Sequence, residues 1–153
     1  MSILLKKTEI LIVAGFTGAG KTTYINSELY NDPGPEKTLV ILNDFGTEVI
    51  QPEIRTVEWR SGCPCCEGQR FFVRDLQNAY YEYLPERIII ELSPMAVLSE
   101  IRRIFIDRKM TLRFVGAVKY IYIENTVDLE KRMRVSGPFI IEQEKAADRV
   151  IQI

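Results

Sequence analysis

The chain has 153 residues, of which 46% are hydrophobic and 10% aromatic, a composition that fits one compact domain and excludes intrinsic disorder. Its 20 basic and 21 acidic side chains leave a formal net charge of -1, which argues against nucleic acid and acidic membrane surfaces as partners. The longest uninterrupted apolar run, Ile10 to Ala14, is too short to span a bilayer, and the first residues lack the pattern of a signal peptide. We expect a cytoplasmic protein with a single domain over residues 1–153.

Short apolar runs alternate along the chain with amphipathic segments. The runs at 9–14, 38–42, 54–59, 87–91, 114–123 and 149–153 predict six strands, most of them buried on both faces. Helices are predicted over 21–30, 70–84 and 139–147, and a further helix after residue 92, with Ser93 as its N-cap and Pro94 at its first position. This order predicts an α/β fold with a mostly parallel sheet flanked by helices.

One stripe of apolar residues recurs at three- and four-residue steps within 70–84. This spacing places its members on one face of a helix and predicts that they belong to the core. The residues of the stripe are Phe72, Leu76, Ala79, Tyr80 and Tyr83.

A glycine-rich turn follows the first predicted strand and opens the first predicted helix. Residues 15–22 match G-x-x-x-x-G-K-[ST] at every fixed position, which predicts a phosphate-binding P-loop. Backbone N–H groups would surround the phosphates, Lys21 would reach the β- and γ-phosphates, and Thr22 would hold Mg²⁺. The predicted nucleotide-binding residues are Gly15, Thr17, Gly18, Ala19, Gly20, Lys21, Thr22 and Thr23.

All three cysteines, Cys63, Cys65 and Cys66, lie in one short turn, and the chain contains no histidine. Three thiolates on one turn can converge on Zn²⁺ or a similar soft ion and leave one tetrahedral position open. Water, a carboxylate such as Glu48 or Glu67, or a partner's group would fill that position. The alternatives are a permanently bound structural zinc and reduced, buried cysteines.

Four motifs occur in an order that resembles the CobW-type metallochaperone GTPases, which are relatives of HypB and UreG. The resemblance extends from about residue 8 to the end of the chain. The motifs are the P-loop through Thr23, Asn43-Asp44-Phe45-Gly46, Gly62-Cys63-Pro64-Cys65-Cys66 and Ile89-Ile90-Glu91-Leu92-Ser93.

The resemblance implies a P-loop GTPase of slow turnover that couples GTP and GDP binding to the delivery of Zn²⁺ or Co²⁺ to a client metalloprotein. It assigns catalysis to Lys21, Asp44 and Glu91. It assigns Mg²⁺ to Thr22, Asp44 and Glu91, and the transition metal to the three cysteines. A homodimer is a hypothesis for the assembly.

Two residues depart from the family pattern. Asp44 stands where the family has glutamate, and Pro94 stands where it has a glycine, whose N–H proline lacks. The resemblance places the guanine-reading segment after the strand at 149–153, so the chain corresponds to an N-terminal GTPase domain, either as a fragment or as a shortened branch. A nucleotide-binding regulatory module with little hydrolysis is the alternative function, and a small-molecule kinase is less favoured because no arginine-rich lid segment is recognisable.

Overall fold

The computed structural model describes residues 7–31, 33–43, 54–59 and 69–153. Within these ranges strands and helices follow one another along the chain, with a short 3₁₀ turn at Pro35–Lys37. The elements are β1 (Thr8–Ala14), α1 (Lys21–Glu28), β2 (Thr38–Leu42), β3 (Arg55–Glu58), α2 (Gln69–Tyr83), β4 (Arg87–Glu91), α3 (Leu98–Asp107), β5 (Val115–Glu124), α4 (Leu129–Ala146) and β6 (Arg149–Gln152).

The described strands form one six-stranded sheet in the order β3-β2-β4-β1-β5-β6, and every neighbouring pair is parallel. All strand carboxyl ends therefore meet at one edge of the sheet, which we call the P-loop edge because α1 begins there. The prediction of an α/β fold with a parallel sheet is confirmed.

Helices cover both faces of the sheet, which explains why the central strands are continuously apolar. Alternate residues of β1 face opposite sides: Ile12 packs in the cluster that includes α2, α3 and α4, whereas Val13 packs with α1. No helix among the described residues is long and apolar enough to cross a membrane.

The predicted core stripe of α2 is confirmed at Phe72, Leu76 and Ala79, which are buried. Tyr80 and Tyr83, at its carboxyl end, are half-buried, and Tyr83 packs against the core. Tyr80 stacks on Phe114, with ring centroids 4.1 Å apart and planes 7° from parallel.

Two predicted helix boundaries are wrong. Helix α3 begins at Leu98 rather than at Ser93 and Pro94, because residues 93–97 form a turn in which the Ala96 N–H donates to the Ser93 carbonyl. Helix α4 begins at Leu129, ten residues before the predicted start at residue 139. It continues through Pro138 by means of a kink at Ser136, whose φ and ψ are -130° and 27°.

Candidate nucleotide-binding site

The P-loop joins β1 to α1 through backbone conformations that favour glycine. Gly18 has a φ of 77° and Gly20, which caps α1, has a φ of 107°. At Gly15 the constraint is space, since an added Cβ would lie 2.7 Å from the backbone oxygen of Ile123 on β5. The glycines therefore allow the loop both to turn tightly and to lie against the end of the neighbouring strand.

Lys21, the first residue of α1, is held against the loop backbone and is only 3% exposed. Its ammonium donates to the carbonyl oxygen of Gly15 at 2.6 Å and lies 3.5 Å from that of Phe16. A positive charge is thus fixed beside the N-terminus of a helix, where anions are stabilised.

Thr22 and Glu91 meet at the P-loop edge although 69 residues separate them in sequence. The Thr22 hydroxyl lies 3.1 Å from Oε1 and 3.2 Å from Oε2 of the Glu91 carboxylate, which is 2% exposed. The register of the sheet brings Thr22 and Glu91 together, because Glu91 ends β4 directly beside Val13 of β1, just before the P-loop. Hydroxyl and carboxylate oxygens are ligands that Mg²⁺ prefers, so this pair fits that ion.

The other predicted nucleotide-binding residues surround this pair. Thr17, Gly18 and Thr23 are exposed, Gly20 is half-buried and Ala19 is buried. Asp44 and the cysteines Cys63, Cys65 and Cys66 lie outside the described residues. Within the described ranges, no three histidine, cysteine, aspartate or glutamate side chains are grouped to hold a metal.

Asn43, the first residue of the motif Asn43-Asp44-Phe45-Gly46, makes contacts at this edge that the sequence did not predict. It directly follows β2, and its N–H donates to the Glu91 carbonyl at 2.9 Å. Its side-chain oxygen accepts from the Ser93 N–H at 3.1 Å, and its side-chain nitrogen donates to the Trp59 carbonyl at 3.3 Å. Asn43 therefore ties the carboxyl ends of three strands together. The signal was its position at a strand end, immediately before Asp44.

Helix α4 supports the other side of the P-loop. The ring of Phe16 packs edge to face on Phe139 of α4, with centroids 6.0 Å apart. The Arg132 guanidinium lies 5.2 Å from the centroid of the same Phe16 ring, close enough for a cation–π contact. Phe16 of the P-loop is therefore contacted by α4 residues on both sides of the kink at Ser136.

A second buried carboxylate at this edge, Glu124, ends β5 and accepts a hydrogen bond from Gln152 of β6 at 2.9 Å. Burial, and then the charges of Glu124 and Glu144, raise the pKa of Tyr122 to about 12. Burial and the nearby Glu124 charge also raise the pKa of the Glu144 carboxyl. In the sequence, only an acid at a strand end pointed to this cluster.

A P-loop at the carboxyl edge of a parallel sheet, with a buried lysine and a threonine–carboxylate pair, defines the class of P-loop nucleotide-binding domains. The sequence model of the CobW/HypB/UreG nucleotide-binding domain matches residues 9–151, and the chain belongs to this family.

Similar proteins agree with this assignment. A "Zinc chaperone CobW" of Pseudomonas aeruginosa is 34% identical over 111 residues, which are 61% of this chain and 29% of that protein. A "Zinc chaperone CobW" of a Sinorhizobium species is 31% identical over 104 residues, 60% of this chain and 29% of that protein. The matched part of the chain thus spans about 29% of the length of these relatives.

The fold has a counterpart among solved structures. The crystal structure of the Zn(II)-bound YjiA GTPase from E. coli superimposes with a TM-score of 0.67, over 97% of this chain and 49% of that one, at 20% identity. This similarity confirms the predicted P-loop fold.

Proposed function

We propose that this chain binds a guanine nucleotide with Mg²⁺ at the P-loop edge and, as a metallochaperone or metal-insertion factor, handles a transition metal as its cargo. The observation that carries the proposal is the hydrogen-bonded pair of Thr22 and Glu91 beside the buried ammonium of Lys21. These are the groups that a Mg²⁺–nucleotide complex needs, and they belong to a chain of the CobW/HypB/UreG family.

Each residue has a role in this proposal. Backbone N–H groups of residues 15–23 bind the phosphate oxygens, and the Lys21 ammonium neutralises the β- and γ-phosphates. Thr22 and Glu91, together with Asp44, would hold Mg²⁺, which supplies positive charge to the phosphates when bound. Lys21, Asp44 and Glu91 form the proposed machinery of slow GTP hydrolysis.

The cargo is a soft divalent ion, Zn²⁺ or Co²⁺, held by the thiolates of Cys63, Cys65 and Cys66. The thiolate set suits these ions, and two of the relatives described above are named zinc chaperones. An incomplete set of protein ligands would favour transfer of the ion to a client metalloprotein. We propose that the partners are this client and a second copy of the chain as a homodimer.

Asn43 offers a physical route between the two sites. Its side-chain amide bonds to Trp59, four residues before Cys63, and also to Ser93, two residues after Glu91. A displacement of the Glu91 segment on loss of the γ-phosphate would therefore pull on the strand end that leads to the cysteines.

A second candidate function, a nucleotide-dependent binding module with little hydrolysis, is favoured by the backbone donors after Glu91. The Leu92 N–H donates to the Val13 carbonyl at 2.9 Å, the Ser93 N–H is taken by Asn43, and Pro94 has no N–H. Three consecutive positions thus offer no further donor to a γ-phosphate. Turnover of GTP at saturating Mg²⁺ separates the two candidates.

Calorimetry with a non-hydrolysable GTP analogue tests the nucleotide site. Lys21→Ala should abolish binding or weaken it by several kcal/mol, because a charged clamp on the phosphates is lost. Lys131→Ala removes an exposed lysine of α4 and is the matched control, with affinity unchanged. Equal affinities in a folded Lys21→Ala protein and the wild type would exclude the phosphate-binding role.

Titration with Co²⁺ in the presence of GTP, GDP or no nucleotide tests the cargo site. We expect one ion per chain with a thiolate-to-metal charge-transfer band, which the triple serine variant of Cys63, Cys65 and Cys66 loses. The affinity should fall at lower pH, since protons compete for the thiolates. Identical spectra of the wild type and the triple variant would exclude the cysteine site.

A further inference from the structure

A cavity of about 580 Å³ opens at the amino-terminal edge of the sheet, opposite the P-loop edge. It lies between the carboxyl end of α2, the segment that joins α3 to β5, and Lys7, which precedes β1. Because the strands are parallel and the P-loop follows the carboxyl end of β1, a ligand here would leave the proposed nucleotide site open.

Three cations line this cavity: Lys7, Lys109 and Arg113. All three are exposed, and none of the described residues that line the cavity is acidic. Since the whole chain has a net charge of -1, the cluster is a local excess of positive charge rather than a property of the surface in general. Complementarity therefore favours an anionic ligand.

The rest of the lining is aromatic and apolar. The stacked rings of Tyr80 and Phe114 form one flat wall. Tyr81 and Met110 also line the cavity, yet they are 69% and 76% exposed, respectively. Large apolar side chains that surround a cavity and remain in water are typical of interaction sites, and methionine adapts to varied partners.

We propose that this cavity binds an acidic segment of a partner protein. Carboxylates of the segment pair with Lys7, Lys109 and Arg113, and its apolar side chains pack against Tyr81 and Met110. A peptide fits better than a bare anion, because the cations alternate with apolar surface over a space large enough for several side chains. The proposal is independent of the nucleotide function, since no P-loop residue takes part.

Fluorescence anisotropy with a short labelled peptide of glutamate, leucine and serine tests this site on the whole chain. We expect saturable binding that Lys109→Gln with Arg113→Gln weakens by about two- to thirtyfold, because two exposed charge pairs are lost. Lys131→Gln with Arg134→Gln removes the same charge from exposed positions of α4 and should leave the affinity unchanged. Met110→Ser should weaken binding without changing its dependence on salt.

Two further measurements identify the chemistry of recognition. A peptide with glutamine in place of every glutamate should bind about tenfold more weakly, and the affinity for the acidic peptide should fall as ionic strength rises above about 0.1 M. Equal weakening by both double variants, or equal affinity for both peptides, would overturn the proposal. So would self-association of the chain, measured by sedimentation, that Lys109→Gln with Arg113→Gln abolishes, since a second copy would then occupy the cavity.

Discussion

At the scale of single residues, the proposed site depends on side chains that meet only because strand ends converge. The Thr22 hydroxyl contacts Glu91 across two neighbouring strands, and Asn43 bonds to three strand ends. The motif identifies Lys21 and Thr22 from local sequence. The family motif includes Asn43, but it does not predict the contacts of this side chain, which lie 16 and 50 residues away in sequence.

Thr22→Ala should weaken the dependence of nucleotide affinity on Mg²⁺. The variant removes one oxygen ligand of the proposed ion and the donor to Glu91, whereas Lys21 and the loop backbone remain. We expect the gain in affinity from added Mg²⁺ to shrink by about tenfold, measured by calorimetry with and without the ion. Thr22→Ser keeps the hydroxyl and should behave as the wild type. If added Mg²⁺ increases the nucleotide affinity of Thr22→Ala as much as that of the wild type, Thr22 does not hold the ion.

Pro94→Gly and Pro94→Ala both restore a backbone donor in the turn after Glu91. A charge-assisted hydrogen bond contributes about 1.5–3 kcal/mol, so the preference for a GTP analogue over GDP should rise about tenfold or more. GDP affinity should hardly change, because GDP lacks the group that the donor would contact. Competition binding measures both affinities.

The two variants separate the donor from backbone flexibility, which glycine increases and alanine does not. A gain in the glycine variant alone would attribute the effect to a more flexible turn. If neither variant changes the ratio of affinities, γ-phosphate sensing does not use this position.

At the scale of elements, the start of α3 is defined by a side chain from another helix. Gln143 of α4 is buried, and its Oε1 accepts from the Leu98 N–H at 2.8 Å while its Nε2 donates to the Ala96 carbonyl at 3.0 Å. The sequence offers Ser93 and Pro94 as a local start signal, but this tertiary contact places the start at Leu98. Local rules cannot anticipate a cap supplied from 45 residues away.

Gln143→Met should therefore destabilise the fold by about 2–4 kcal/mol. The variant keeps a similar volume but leaves a buried N–H and a buried carbonyl without this partner, and each loss costs about 1–3 kcal/mol. Urea unfolding measures the change. Gln77→Met is the matched control, because Gln77 donates to an exposed carbonyl, that of Thr111, and should cost less than about 1 kcal/mol. If the free energy of unfolding falls equally in the two variants, burial of the Gln143 amide is not the cause of the destabilisation.

Leu84, directly after α2, has a strained backbone conformation in which glycine would be free of strain. Leu84 has a φ of 48°, and its N–H donates to the Tyr80 carbonyl at 2.7 Å, as in a helix end that usually contains glycine. Its side chain is 66% exposed, so little packing would be lost. Leu84→Gly should stabilise the fold by about 0.5–1 kcal/mol in urea unfolding. Leu84→Ala trims the side chain but keeps Cβ, and it should give no such gain.

At the scale of the whole molecule, the sequence was sufficient to predict the strands of the sheet but not the boundaries of the helices. Central strands buried on both faces must be continuously apolar, so runs such as 87–91 can be recognised as strands from the sequence. The sequence predicted a helix only over 139–147, yet α4 begins at Leu129 and continues through a bend at Ser136, since packing of Ile140 in the core compensates for the kink. The P-loop was equally predictable because it is local, whereas the contacts of Asn43 and Glu124, and the cavity lined by Lys7, Lys109 and Arg113, depend on residues distant in sequence.

Two buried tyrosines, Tyr120 and Tyr122, and the partly buried Tyr24 make the stability of the molecule sensitive to alkali. Burial is the main cause that raises the pKa of Tyr24, Tyr120 and Tyr122 to about 12. An unfolded tyrosine titrates near pH 10, so between about pH 10 and 12 the unfolded chain binds fewer protons than the folded chain. The stabilisation is complete below pH 10 and is lost as the pH rises through this window.

The free energy of unfolding in urea should therefore fall between pH 8 and pH 11, by up to about 1 kcal/mol for each of these three tyrosines. Tyr122→Phe removes one titrating group and should reduce the fall by about 1 kcal/mol, even if the variant is less stable at pH 8. Tyr81→Phe, at an exposed position, is the control and should show the full fall, since water already solvates its ring. If the free energy of unfolding falls equally with pH in the wild type and Tyr122→Phe, ionisation of the Tyr122 phenol does not destabilise the folded state.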